Sequence, residues 1–458
     1  MFIAQSEYSK PSRACDFCRS SLYFKIKRPS PARPSSTADL VCARDEKEVQ
    51  DAVLQYLQGV SMKRTTLFAA GVVALLTSLG LAFQAQSDGP YKVLKTAKVG
   101  GEGGTDYIFA DPVGRRLYIT RGATQAQLAT DTRPEVPAFE KRLTIFDLDT
   151  LAPVGTIPGV GGNGATVCPN TGHGFTSDHP DLSMFDVKTM KLIKTIAVPA
   201  GFRADGIYCD TSDDRVYVGS HPTKSLMVVD AKDGAVLGNI DLGGTPEQTI
   251  ADGKGTVYQV LQERPGGVAV IDAKTMKVKA TFPFGENGGC NGLALDIKNQ
   301  ILFAACSAIG PAPPRGTPGQ PPPAGPPSTP DPNAKPPQTF VVLSAKDGTI
   351  LARLPLAGGS DGAVFNPATM EAFSTQGNGT MTIIKEKSPT KFEVEQNLKT
   401  WPSNGARTIA FDSRTGHLFA MASEAAPPPP SPPPGTPGGP GRGRAVPGSF
   451  TIIMVGMK

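Results

Sequence analysis

From residue 90 onward, apolar and polar residues alternate in runs of five to nine, and the runs are punctuated by Gly, Pro, Asn and Asp; alternation of this kind specifies β-strands and tight turns. One run recurs with an acidic turn at its end: RLTIFDLDT (142–150), LSMFDVKTM (182–190), LMVVDAKDG (226–234), VAVIDAKTM (268–276) and FVVLSAKDG (340–348). Two degenerate copies follow, MTIIKEKSP (381–389) and FTIIMVGMK (450–458). Each copy is preceded by a short strand with an aromatic or aliphatic centre, such as RLYIT (116–120), RVYVG (215–219) and HLFAM (417–421). Before each of these lies another strand, and most units close with a further one, as in KLIKTIAVP (191–199). Four short strands per unit, at a period of about 40 residues, predict antiparallel sheets set radially around an axis.

The first strands of the units begin at Asp106, Asn163, Asp205, Glu247, Asn291, Asp361 and Arg407, which gives an all-β, seven-bladed β-propeller over 90–458. The seventh copy lacks a fourth strand, while YKVLKTAKV (91–99) stands unpaired before the first. The N-terminal strand is therefore expected to complete the last blade, which removes a sheet edge and closes the ring.

With the repeats in view, the chain resembles the YVTN-type repeat family of secreted or periplasmic seven-bladed propellers. RLYIT and RVYVG match the name-giving strand, and VAVIDAKT the strand after it. The resemblance implies a propeller but no particular chemistry: relatives include surface proteins, DNA-binding proteins and companions of redox systems, and lactonases share the general architecture.

The seven strand starts form one repeat-equivalent set at the channel mouth, and all are polar. They are the candidate ligand-binding residues. Asp106, Asp205, Glu247 and Asp361 are the candidate ligands of a divalent cation, because converging carboxylate oxygens suit a hard ion or a hydroxylated molecule. Arg407 offers a donor to an anion. The acidic turn residues Asp147, Asp186, Asp230 and Asp272, with Ser344, are assigned to capping their own turns. The aromatic stripe Tyr118, Phe175, Tyr217, Tyr258, Phe303, Phe373 and Phe419 is assigned to packing between blades. His173 and His417 are expected to be exposed on the opposite face, and His179 and His221 to serve turns near the mouth.

Three units carry insertions between their second and third strands, at 122–140, 307–338 and 423–448; the last two hold 23 of the 44 prolines and are rich in polyproline sequence. All three are expected around the same mouth, where a protein partner could dock. Upstream, residues 62–85 read as a secretory signal peptide, with Lys63 and Arg64 before an apolar run from Leu67 to Ala82. Left uncleaved, it would be the chain's membrane attachment. Residues 1–61 look like upstream sequence lacking a fold of their own. An exported, periplasmic or extracellular location suits the four remaining cysteines, expected to pair as Cys290–Cys306 and Cys168–Cys209.

Charge narrows the partners. Residues 1–64 carry 11 of the 46 Lys/Arg and 7 of the 41 Asp/Glu, leaving a nearly neutral body that is poorly suited to nucleic acid. The one G-x-S-x-G match, GGSDG at 358–362, leads into a repeat strand rather than into the helix of a nucleophile elbow; no H-E-x-x-H or C-x-x-C-H motif occurs, and Trp401 is the sole tryptophan, which argues against a nucleophilic hydrolase or a quinoprotein. The sequence thus points to a monomeric ligand-binding or protein-interaction module, with metal-assisted, lactonase-like hydrolysis as the alternative.

Overall fold

The computed structural model describes residues 89–458 apart from 127, 129–134, 136, 310–337, 403–404 and 426–444. The signal segment 62–85, residues 1–61 and most of both proline-rich insertions lie outside the described residues. Seven four-stranded antiparallel sheets make up the fold, and no helix occurs among the described residues. The inner strands of blades 1 to 7 are Ile108–Asp111, Ala165–Cys168, Ala204–Asp210, Pro246–Ala251, Asn287–Asp296, Ala363–Asn366 and Gly405–Phe411.

Ring closure follows the sequence expectation. The strand Tyr91–Lys98 pairs antiparallel with the C-terminal strand Thr451–Met457 and supplies the outer strand of blade 7.

The alternation within each strand has a simple origin, since successive side chains point to opposite faces of a sheet and each blade has a neighbour on both sides. Seven apolar clusters result, one at every blade interface. Leu117 and Ile119 pack toward blade 7, whereas Tyr118 between them packs toward blade 2. The whole aromatic stripe is buried and follows this rule, each ring entering the interface with the next blade in sequence.

The acidic turns cap themselves. Asp147, Asp186 and Asp272 accept hydrogen bonds from the backbone N–H groups of Thr150, Thr189 and Thr275 at 2.6–2.8 Å. Asp230 accepts from Lys232 N–H at 2.7 Å, and Ser344 Oγ from Lys346 N–H at 3.2 Å. His173 and His417 are half-buried rather than exposed: His173 Nδ1 lies 2.9 Å from the Ala231 carbonyl of blade 3, and the His417 ring lies against Gly456 of its own blade.

Antiparallel pairing carries the end of each second strand back beside the start of the first. Gly122 N–H bonds Gly104 O at 2.8 Å, Ile309 faces Asn287, and Ala422 faces Gly405, so the three insertions leave from one rim. Bridges between Thr124 and Phe139, and between Ala425 and Ala445, pinch two of them at the base. Cys168 is bonded to Cys209 across blades 2 and 3, with Cα atoms 5.8 Å apart. Cys290 is bonded to Cys306, its direct cross-strand partner in blade 5.

Candidate functional site

The polar strand starts sit where the inner strands enter the channel, and in several blades the backbone is irregular at that point. Pairing between first and second strands slips between Ala204 and Ile207, Pro246 and Thr249, Cys290 and Gly292, and Gly405 and Ile409. These bulges contain Asp205, Glu247, Asn291 and Arg407 respectively. A bulge frees a residue from the strict inward–outward alternation and re-aims its side chain.

A hydrogen-bonded and ionic chain joins five blades around the mouth. Asn163 donates through Nδ2 to Asp205 Oδ1 at 2.5 Å. Asp205 Oδ2 lies 2.7 Å from His221 Nε2, which is 3.3 Å from Glu247 Oε1. Gln262 Nε2 then donates to Glu247 Oε1 at 2.7 Å and to Asn291 Oδ1 at 3.2 Å, and Asn291 Nδ2 donates to Asp361 Oδ1 at 2.7 Å. Asp106 is exposed on the rim of blade 1, where its N–H and that of Tyr107 both bond Asn163 O. Arg407 lies in the inner strand of blade 7, and its side chain is outside the described residues.

His221 occupies the turn expected near the mouth, its carbonyl accepting from Lys224 N–H at 3.3 Å, and its imidazole in addition meets the two carboxylates. It follows the strand Arg215–Ser220, whose last residue pairs with Ala204, and this places the imidazole beside Asp205. Gln262 reaches Glu247 in the same way, one residue beyond the Leu261–Pro246 pair. Neither Asp205 nor Glu247 faces open water, being 8% and 6% exposed. Among the described residues, Asp205, His221 and Glu247 form the one group of at least three His, Cys, Asp or Glu whose ligand atoms lie within 4.8 Å of one another. Asp106 and Asp361 are not part of it.

Tyr107 reaches across the channel to this group. Its hydroxyl donates to Glu247 Oε2 at 2.9 Å, crossing from blade 1 to blade 4. Glycines at the starts of the two intervening blades make room: a Cβ on Gly164 would lie 3.1 Å from Tyr107 Cβ, and one on Gly206 2.9 Å from Glu247 O. Gln248, next in the chain, donates to Ala363 O and accepts from the N–H groups of Leu293 and Ala363, tying blades 4, 5 and 6.

Charge and burial set the protonation. The contact with Asp205, then that with Glu247, pushes the His221 imidazole up to about 10 against the opposing effect of burial. Burial raises the Glu247 carboxyl above its ordinary range, and His221 offsets part of that. For Asp205, burial acts upward too, but His221 and Asn163 outweigh it and the carboxyl lies below its usual value. Tyr107 is held well above the ordinary phenol range by burial and by the Glu247 charge.

Beside this chain, between blades 1 and 2, lies a cavity of about 500 Å³ lined by Asp106, Lys141, Asn163, Asp178, His179 and Arg203, among others. Lys141 Nζ is paired with Asp178 at 2.9–3.0 Å. His179 Nε2 is buried with no hydrogen-bond partner, and burial followed by Arg203 lowers its imidazole below the ordinary value. Gly162 forms part of the wall at φ 109°, where a Cβ would meet Ser177 O at 2.1 Å, so this turn requires glycine.

No protein-family model matches the chain, and no curated protein matches it in sequence. Among solved structures, a chain of the Kuenenia stuttgartiensis hydrazine synthase is similar with a TM-score of 0.52 at 14% identity, over 71% of this chain and 94% of that one. A chain of a mitotic checkpoint complex has a TM-score of 0.54 at 9% identity, over 72% of this chain and 89% of that one. At such identities the likeness is one of fold, the seven-bladed propeller, and the chemistry rests on this chain's own residues.

Proposed function

We propose that the protein is an exported propeller of YVTN type that works as a binding module, taking a small anionic or hydroxylated molecule at the channel mouth. The leader-like segment 62–85 and the two bonded cysteine pairs support export to an oxidising compartment. One observation carries the ligand reading: the cavity between blades 1 and 2 has a buried, unpartnered His179 Nε2 in its wall and the exposed guanidinium of Arg203 at its rim. A buried polar atom without a partner costs about 1–3 kcal/mol, which a ligand oxygen would recover.

The test is a thermal-shift and calorimetry screen of small carboxylates and sugar acids against protein kept in chelator. At least one carboxylate is expected to stabilise the parent, and Arg203→Ala to weaken it about tenfold or more. A screen with no binder, or equal binding by the variant, would show this reading to be wrong. The Asp205–His221–Glu247 group favours a second reading, lactonase-like hydrolysis with a metal-activated water, which requires lactone turnover that depends on added metal. Docking of a protein on the insertions would instead leave the small-molecule screen empty.

A further inference from the structure

The geometry points to a binding site for one divalent first-row transition-metal ion, formed by Asp205 Oδ2, His221 Nε2 and Glu247 Oε1. This deepens the reading of the channel mouth as a binding surface and rests on it.

Three features of the group distinguish it from an ion pair that merely holds two blades together. First, the His221 Nε2 atom is hidden from solvent and lies 2.7 Å and 3.3 Å from the two carboxylate oxygens, yet it makes no hydrogen bond of acceptable angle to either. The imidazole N–H direction, which is also the direction of the lone pair that would bind a metal, therefore points at neither oxygen. Three donor atoms drawn together without being aligned on one another suit ligation of a common centre better than mutual hydrogen bonding.

Second, both carboxylates are held by groups other than histidine. Asn163 fixes Asp205 through its other oxygen, while Tyr107 and Gln262 fix Glu247. Hydrogen bonds of this kind orient metal ligands and maintain their geometry. They arrive from blades 1, 2 and 4, so the donor set is built by the assembled ring and not by one flexible loop.

Third, the site is only partly enclosed. The His221 side chain is 36% exposed, whereas those of Asp205 and Glu247 are 12% and 7% exposed. Three protein donors leave coordination positions for water or ligand.

The donor types select the metal class. Ca²⁺ and Mg²⁺ prefer all-oxygen shells, whereas one imidazole with two carboxylates suits Zn²⁺, Mn²⁺, Fe²⁺ or Co²⁺. The all-carboxylate cation site expected from sequence is thus replaced by a mixed nitrogen–oxygen site, in which Asp205 and Glu247 remain and His221 takes the place of Asp106 and Asp361.

The test is a Co²⁺ titration of the full chain, untagged, with Cys15, Cys18 and Cys42 changed to serine so that their thiols cannot compete. Visible d–d absorption, calorimetry and elemental analysis report binding. One equivalent of Co²⁺ is expected, displaceable by Zn²⁺ but not by equimolar Ca²⁺ or Mg²⁺. His221→Ala should weaken binding by about 100-fold or more, and Gln262→Ala by about tenfold. Asp230→Asn, in an acidic turn satisfied by its own backbone, should leave it unchanged. Circular dichroism checks that each variant is folded, and the parent titration does not depend on any variant. Absence of saturable binding by the folded parent, preference for Ca²⁺, or parent-like binding by folded His221→Ala would overturn the proposal. Small-carboxylate binding is measured in chelator, so the two readings fail separately.

Discussion

Glu386 shows how one buried carboxyl couples this propeller to pH. It is 3% exposed; Oε1 accepts a hydrogen bond from Asn299 Nδ2 at 2.7 Å, and Oε2 has no partner. Burial, assisted by the nearby Asp296, pushes the carboxyl up to about 7. In the unfolded chain it ionises near the ordinary glutamate value of about 4.3. Between these values the folded state binds the proton more strongly, so stability falls as pH rises through the window and stays low above it. Glu386→Gln removes the ionising group and retains an amide of similar shape. At pH 8 it is expected to stabilise the protein by on the order of 1–2 kcal/mol and to flatten the decline between pH 5 and 7, as read from urea midpoints. A variant with an unchanged pH profile would refute this account. Tyr107 illustrates the same scale in the channel: a single hydroxyl reaching Glu247 links blades on opposite sides, and glycine at 164 and 206 provides its path.

At the scale of the element, a blade is a sheet with two buried faces, and its stability resides in the interfaces. Phe373 is fully buried in the interface between blades 6 and 7, where its ring meets Tyr91 edge-on at 5.1 Å between centroids. Phe373→Ala is expected to cost about 3–5 kcal/mol, the usual range for a large core ring that leaves a cavity. Leu192 is 45% exposed on the outer strand Lys191–Ile196 of blade 2, so Leu192→Ala should change the urea midpoint little. Equal effects of the two substitutions would mean that the blade interfaces do not dominate. The acidic turns belong to this scale as well: each joins a third strand to a fourth and is satisfied by its own backbone, which leaves those carboxylates no part in the mouth.

For the whole molecule, closure is the decisive contact. Seven residue pairs align Tyr91–Lys98 with Thr451–Met457, so residues at opposite ends of the described chain share one sheet. Arg115 Nη1 of blade 1 adds a 2.7 Å bond to the buried Asp412 of blade 7. A chain beginning at residue 100 would leave the Thr451–Met457 strand as an unpaired edge and remove Tyr91 from the interface between blades 6 and 7. It is expected to melt at lower temperature and to self-associate in size-exclusion chromatography, because an open edge pairs with other chains. A truncated chain that remained monomeric with an unchanged melt would show that closure contributes little.

The repeat period, the count of seven blades, the strand alternation and the borrowed outer strand of blade 7 were legible in the residues. Each depends on contiguous stretches in which side chains two apart share a face, so spacing alone carries the information. The polar strand starts were legible as a set, but their surroundings were not. Glu247 meets Tyr107 from 140 residues away, and Gln248 meets Ala363 from 115 residues away, contacts that only the circular arrangement of the blades creates. Antiparallel pairing, which suggested Cys290–Cys306 from the ends of two strands, also brings His221 to Asp205 and Gln262 to Glu247. The bulges then decide which of these side chains converge, and a one-residue slip in pairing leaves no mark in hydrophobic periodicity. The sequence by itself thus determined the ring of blades and the polar character of its mouth. The tertiary structure decided that Asp205 and Glu247 are buried against His221, because burial at a channel depends on what the opposite blades place there.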